Sequence, residues 1–303
     1  MIEARGLTKR YGDTVAVDGL TFDIRPGVVT GFLGPNGAGK STTLRMILGL
    51  DRPSAGSVSV GGRRYRDLAA PMREVGALLD AGAVHGKRTA RAHLRWLADA
   101  GGLPRGRVEE VLDEVGLSDV AGRRVGGFSL GMSQRLGIAT ALLGDPATLL
   151  FDEPMNGLDP EGIRWIRTLL QRFAAEGRTV VVSSHLMHEM EETADHVLVI
   201  GRGRLIADTS IPEFTLRAAG NHVHVASPDA AALGALVERA GGHVSPGGDG
   251  ALTVAGLAAP RIGDLAAEHG LRVHELTPRR ASLEAAFMEL TEGSVDYRPE
   301  VPA

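Results

Sequence analysis

The sequence predicts an α/β protein with a helical insert and a second, smaller α+β unit. Three observations predict it. An apolar run, Val28 to Leu33, leads into a glycine-rich loop and then a helix-like stretch, Ser41 to Leu48. Two further runs, Thr148 to Phe151 and Thr179 to Val182, are apolar at consecutive positions, as parallel strands covered on both faces are. After about residue 214 the pattern reads β-α-β-β-α-β, the order of a ferredoxin-like layer.

The bulk properties bound the answer. A chain of 303 residues has room for two domains and a substantial core. Its 43% hydrophobic and 23% charged residues are ordinary for a globular protein. A net charge of −4 gives no basic footprint for nucleic acid, so no nucleic-acid partner is expected. With no cysteine there is neither a disulfide nor a thiolate metal site, and a reducing compartment fits. The opening Met1-Ile2-Glu3-Ala4-Arg5 lacks the apolar core of a signal peptide. No apolar run approaches the ~18 residues of a membrane span. If the protein works on a membrane, another chain must cross it.

Along the chain, Leu20 to Ile24 reads as a strand closed by Pro26-Gly27. Asp51 to Ser57 is a turn cluster. From Lys87 to Leu117 helical periodicity takes over, through Ala90, Leu94, Trp96, Leu97 and then Val108, Val111, Leu112, Val115, broken at Gly101 to Pro104. A boundary falls near Thr209 to Phe214. In the smaller unit, strands are expected at His222 to Ala226, Gly242 to Val244, Ala251 to Val254 and Leu271 to Leu276. Helices are expected at Ala230 to Ala240 and Arg261 to His269. A last helix follows Ser282 as N-cap, with Leu283, Ala286, Phe287 and Leu290 on one face. The expected divisions are thus 1–215 (helical part about 81–145), 216–292, and a loose tail, 293–303.

Three segments carry chemistry. The first is Gly34-Pro35-Asn36-Gly37-Ala38-Gly39-Lys40-Ser41, a full match to the phosphate-loop pattern between a strand and a helix. Its glycines let successive N–H groups curl around phosphate oxygens, and the helix N-terminus faces the same anion. Lys40 reaches the β- and γ-phosphates, and Ser41 offers its hydroxyl to Mg²⁺. The second is the apolar strand ending in Asp152-Glu153. Asp152 would hold Mg²⁺ through water, and Glu153 would polarise an attacking water. The third is Ser183-Ser184-His185, at another strand tip. Ligands collect at the carboxyl ends of strands in open α/β sheets, which sets His185 beside the γ-phosphate or beside Glu153.

In these residues the chain resembles the ATP-binding subunit of an ABC transporter, of the multidrug or antibiotic-exporter type. The resemblance covers about residues 1 to 215. It implies a P-loop NTPase fold with a RecA-like core, an antiparallel β subdomain and a helical insert. It implies that Tyr11 stacks on adenine, that Thr42 lies against the nucleotide, and that Phe128-Ser129-Leu130-Gly131-Met132-Ser133-Gln134-Arg135 is the family signature. It matches Glu153 to the catalytic glutamate, His185 to the switch histidine, and Asn156-Gly157-Leu158-Asp159-Pro160 to the D-loop.

Ser129 also reads unaided as the N-cap of a helix through Leu136, Ile138 and Leu142, which makes a second anion site. The family resolves that redundancy: two copies pack head to tail, so Ser129 and Gly131 act on the nucleotide of the other copy, with Asp159 at the seam. The implied ligands are ATP and Mg²⁺. The implied partners are a second copy and a membrane-spanning permease, docked against the helical insert near Asp80 to Trp96, with this chain peripheral on the cytoplasmic face of the membrane.

Two positions depart from the family. Leu130 and Met132 stand where it has glycine and glutamine. Asp80 stands where it has the glutamine of the Q-loop, and either approaches Mg²⁺ or starts a surface loop. The smaller unit resembles the extra domain of drug-export ATPases. It carries no chemical motif, and His222 and His224 read as a solvated strand face. The pairs Arg63-Arg64, Arg123-Arg124 and Arg279-Arg280 read as solvated or partner-facing. A non-transport ABC ATPase acting on ribosomes or nucleic acid is the alternative function. A GTPase is disfavoured because no Asn-Lys-x-Asp segment is present.

Overall fold

The computed structural model describes residues 1–216, 222–279 and 282–291. The expected tail, 293–303, and Arg280 lie outside the described residues. The chain divides into two compact units, one covering Met1–Ile211 and the other Pro212–Glu292.

The larger unit is built on a six-stranded sheet in the order β5-β6-β7-β3-β8-β9. These strands are β3 (Val29–Leu33), β5 (Val75–Leu78), β6 (Thr148–Asp152), β7 (Thr179–Ser184), β8 (His196–Gly201) and β9 (Arg204–Ser210). All pair in parallel except β9, which runs antiparallel to β8. The consecutive apolar runs behave as expected: every residue of β3 and β7 is buried. Full burial of each valine in β7 stabilises by roughly 1.5–3 kcal/mol as an upper figure. Helices α1 (Lys40–Ile47), α2 (Pro71–Glu74), α6 (Pro160–Ala175) and α7 (Met187–Thr193) join these strands.

An antiparallel sheet in the order β2-β1-β4 precedes and flanks this core in sequence: β1 (Ile2–Tyr11), β2 (Thr14–Ile24) and β4 (Ala55–Val60). Strand β2 starts six residues before the expected Leu20, because Thr14 to Val17 pair with the far end of β1. The expected turn at 51–57 ends early, with β4 pairing Ala55 to Thr8.

Between β5 and β6 lie α3 (Ala90–Ala100), α4 (Gly106–Glu114) and α5 (Leu130–Leu142). The helix expected around Ala90 to Leu97 forms, with Trp96 on its outer face, 52% exposed. The inward face of α3 is Ala90, His93, Leu94 and Ala98, and at 100° per residue Trp96 falls on the opposite side. There the Arg88 guanidinium stacks on it, 4.4 Å from the ring centre.

The smaller unit, reached through α8 (Ile211–Leu216), contains β10 (His222–Ala226), α9 (Ala230–Arg239), β11 (His243–Pro246), β12 (Leu252–Ala255), α10 (Ala259–Glu268), β13 (Glu275–Arg279) and α11 (Leu283–Thr291). Its sheet runs β11-β12-β10-β13 with every pair antiparallel, and Val223, Val225, Leu233, Val237, Val254 and Ile262 form its core. The last strand lies four residues beyond the expected start. Leu271 N–H instead closes the end of α10 on the Ala266 carbonyl, so pairing with β10 begins at Glu275. Ser282 Oγ accepts from Ala285 N–H at 3.1 Å, as an N-cap would. His224 faces Glu275 at 3.9 Å, and no group of three or more potential metal ligands occurs among the described residues.

Candidate functional site

The strand order places β6, β7 and β3 side by side, so their carboxyl tips are neighbours. The loop after β3 and the acids ending β6 line one cleft, with Pro35, Asn36, Gly37, Gly39, Lys40, Ser41, Thr42, Asp152 and Glu153 in its wall, beside Ala16 and Leu79.

The loop owes its shape to glycine at two positions above all. Gly39 has φ +101° and touches β2: a Cβ there would lie 2.5 Å from the Ala16 carbonyl oxygen. A Cβ on Gly34 would lie 2.5 Å from the Ile200 carbonyl of β8. Ala38 is buried against the hydrophobic core, and its carbonyl accepts from Gly203 N–H at 3.1 Å. No side chain caps α1, and no acid of its own lies in its first turn, so its N-terminal N–H groups are left without a partner from the helix itself.

Lys40 is buried, and its ammonium donates to the Gly34 and Pro35 carbonyls at 2.6 and 3.3 Å. Glu153 Oε1 is 3.8 Å away. Burial holds the Lys40 pKa below the ordinary lysine value, against the opposing pull of Glu153 and Asp152. Glu153 has φ +49°, a left-handed conformation that costs a non-glycine residue of order 1–3 kcal/mol. It is held there by Ser183, whose carbonyl and Oγ accept from Glu153 N–H at 3.2 and 3.0 Å. The Ser183 hydroxyl in turn donates to Asp152 Oδ1. Glu153 Oε2 lies 2.9 Å from His185 Nδ1. Ser183 is a site residue that sequence reasoning named only as part of a strand tip; the register Asp152 opposite Ser183 gives it its role.

Behind His185, Arg167 of α6 pairs with Glu189 of α7 at 3.1 Å and with Glu192 at 2.5 Å, fixing the helix that begins two residues after the histidine. This anchor carries no local motif and was missed.

Tyr11 ends β1 and is 48% exposed. Its hydroxyl donates to Asp51 at 2.8 Å, and Arg45 of α1 donates to the same oxygen at 2.8 Å, so the ring is tied to the helix that starts at Lys40. Lys9 covers one ring face at 4.8 Å. Asp80 stands apart from the cleft wall: its Oδ1 accepts from Gly82 N–H at 2.7 Å, the local turn of a surface acid.

The signature segment lies on α5. Ser129 Oγ accepts from Met132 N–H at 3.2 Å and caps the helix. Asp159 caps α6 the same way, accepting from Gly162 N–H at 2.8 Å ahead of Pro160. Gly131 needs no glycine for its own chain's sake: a Cβ would meet only Leu158 Cδ2, at an ordinary 3.4 Å, and its φ is not positive.

Known proteins match this arrangement. The family model described as ABC transporter matches residues 17–156, and a domain of unknown function (DUF8746) matches 221–284. The bacitracin transport ATP-binding protein of Bacillus licheniformis is 41% identical over 69% of each chain. The Nod factor export ATP-binding protein I of Burkholderia orbicola is 34% identical over 96% of each. Among solved structures, the dimeric structure of a bacterial ABC transporter cassette superposes with TM-score 0.64 at 26% identity, covering 70% of this chain and 99% of that one. A dimeric post-hydrolysis cassette bound to ADP and phosphate gives 0.63 at 26%, with the same coverage. With the phosphate loop, the paired acids and the histidine assembled on adjoining strand tips, the chain belongs to the ATP-hydrolysing, ATP-binding subunits of ABC transporters.

Proposed function

We propose that this chain powers an exporter by binding ATP and Mg²⁺ between two copies of itself, and that a separate membrane-spanning permease carries the exported compound. The observation that carries the two-copy reading is Gly131. It sits in the first turn of a helix capped by Ser129, and nothing in its own chain requires a glycine there. A close approach from outside the chain supplies the reason, and the uncapped anion of another copy's nucleotide fits it.

In this reading Lys40 and the loop N–H groups hold the β- and γ-phosphates, Thr42 lies beside them, and Tyr11 stacks its open face on the adenine. Ser41 and Asp152 are the protein ligands of Mg²⁺. Two oxygens without a carboxylate cage fit an ion that keeps waters and phosphate oxygens in its shell. The ion neutralises charge on the phosphates. Glu153 accepts the proton of the attacking water, and His185 holds Glu153 in place at 2.9 Å. Asp159 lies at the seam, where it also caps α6. Asp80 serves its surface turn and is not assigned to the metal.

The relatives' names, bacitracin transport and Nod factor export, support export of a compound of the antibiotic kind. No helix among the described residues is long and apolar enough to cross a membrane. The permease is placed against the helical insert. Segments 81–98 and 120–144 there contain no acid but carry Lys87, Arg88, Arg123 and Arg124. The backbone pairs them, Gly126 N–H to the Gly86 carbonyl and Val125 N–H to the Arg88 carbonyl, both at 2.9 Å. This basic surface fits an acidic cytoplasmic segment of the permease and supports a position on the inner face of the membrane.

The test is Glu153→Gln. The amide keeps its contact with His185 but accepts no proton. Turnover is expected to fall about 100- to 10,000-fold, with ATP still bound and a stable ATP-dependent dimer by light scattering. Full turnover in this variant, or a monomer at saturating ATP, would sink the assignment.

A further inference from the structure

The first turn of α5 touches more than the solvent it faces. Leu130 is 58% exposed, yet its side chain lies directly over the backbone of Gly157. A Cβ on Gly157 would sit 2.0 Å from Leu130 Cδ2 and 2.7 Å from Cγ. One turn along, Gln134 is buried, and its Nε2 donates to the Asn156 carbonyl at 3.3 Å. Leu158 fills the space next to Gly131. The segment 156–158 is therefore seated on α5 of its own chain by three successive contacts. It is also the continuation of Glu153: Asn156 N–H donates to the Glu153 carbonyl at 3.3 Å. Glu153 itself is held at φ +49°, a conformation that persists only where its surroundings over-determine it.

We propose that Leu130 and Gln134 are positioning residues that join the signature turn to the Glu153 of the same chain. This inference rests on the two-copy reading above. There, Ser129 and Gly131 serve the other copy's nucleotide. A shift of that turn on meeting the γ-phosphate moves Leu130 on Gly157 and Gln134 on Asn156, and so moves Glu153 at the first copy's own nucleotide. The two sites of the dimer are thereby coupled through one chain. Leu130, standing where the family has glycine, supplies the apolar half of the link. The Gly157 contact is the packing that Leu130 makes within its own chain.

The prediction concerns which site Leu130 acts on, and mixed dimers decide it. Two differently tagged full-length copies are co-expressed and purified as the mixed pair, and ATPase rates are measured against ATP concentration. The reference pairs wild type with Glu153→Gln, leaving one working site. In the first arrangement a Leu130→Ala copy is paired with a Glu153→Gln copy. The working Glu153 then shares a chain with the altered residue, while the signature turn facing its nucleotide is intact. Here kcat is expected to fall about 10- to 100-fold, as for a small misplacement of a catalytic group, with KM for ATP within about twofold. In the second arrangement both substitutions are on one copy and the other is wild type. The altered turn now faces the working nucleotide, and the rate is expected to match the reference. Leu130→Met in the first arrangement should restore the reference rate.

The reversed pattern would show that Leu130 acts on the other copy's nucleotide and would overturn the proposal. Equal loss in both arrangements, or loss in neither, would overturn it as well. Because Leu130 is half-exposed, its truncation leaves the core intact, and an unchanged melting midpoint verifies this. If the reference pair does not form on ATP, or Glu153→Gln alone keeps full turnover, the two-copy reading fails and this proposal falls with it.

Discussion

Gly131→Ala separates what one copy needs from what two copies need. In a single chain the new methyl meets Leu158 Cδ2 at 3.4 Å and nothing closer. The backbone is helical there, so no left-handed strain arises. Alanine is the better helix former by roughly 0.5–1 kcal/mol in a helix interior, and less in the first turn. The isolated protein should therefore melt at the same temperature or up to about 2 °C higher. Function should move the other way. A methyl in front of a helix N-terminus keeps a phosphate at arm's length from the N–H groups, and loss of one such donor set costs about 100-fold in turnover, or about 2.7 kcal/mol. Differential scanning fluorimetry gives the first number, and steady-state ATPase with light scattering gives the second. A variant that melts as wild type but neither dimerises on ATP nor turns over supports the close approach of a second copy. Wild-type turnover would refute the reasoning. A loss of several degrees would refute it from the other side, because Gly131 would then be serving its own chain.

Asp80→Asn keeps an oxygen for the Gly82 N–H, so wild-type ATPase is expected; a large loss would return Asp80 to the metal or the attacking water. Asp159→Ala removes the cap of α6 and should cost about 1 kcal/mol by denaturant unfolding, whereas Asp159→Ser keeps a capping oxygen and should retain stability, so that any remaining defect in ATP-driven dimerisation reports the seam. Lys40 is held below the ordinary lysine pKa by burial, so the unfolded chain binds the extra proton in the window between the two values. Stability of the nucleotide-free protein should therefore rise with pH across that alkaline window, and the slope should shrink in Lys40→Met; a slope unchanged by the substitution would place the effect elsewhere.

The candidate catalytic set was legible because each member lies at a strand tip marked by local sequence. Gly34 to Ser41, Asp152-Glu153 and His185 each follow an apolar run, and apolar runs of that kind align in one parallel sheet. The Ser129 cap was legible for a similar reason: the hydroxyl and the N–H it accepts from are three residues apart. Two hairpins close on two-residue turns, β1 with β2 at Gly12-Asp13 and β8 with β9 at Arg202-Gly203, so their pairing is local. Trp96 lies in the helix its periodicity predicts, and the helical angle from Leu94 turns its ring outward. What was not legible at the site depends on distant pairing. Ser183, Arg167 and Leu130 show the same limit at the site. Ser183 gains its role from standing opposite Asp152, Arg167 from reaching α7, and Leu130 from Gly157, 27 positions along by the numbering of both.

These long-range contacts fall where the chain carries its costs. Lys40 is an ammonium in a buried setting, Glu153 is a carboxylate on a left-handed backbone, and Gln134 Oε1 is buried with no hydrogen-bond partner among the described residues. Each is unfavourable alone. All three belong to the stretch from the phosphate loop through Glu153 to the signature helix. A γ-phosphate beside Lys40 offsets the first cost directly, since an anion restores the charged form that burial opposes. The second brings the Glu153 carboxylate between Lys40 and His185, at 3.8 and 2.9 Å. The third lies where Gln134 meets the segment leading from Glu153, so a small rearrangement there can give the orphaned oxygen a donor. A chain whose unfavourable terms are concentrated on one path has a path whose state a ligand can change, because a ligand shifts an equilibrium only by the interactions that differ between its two states.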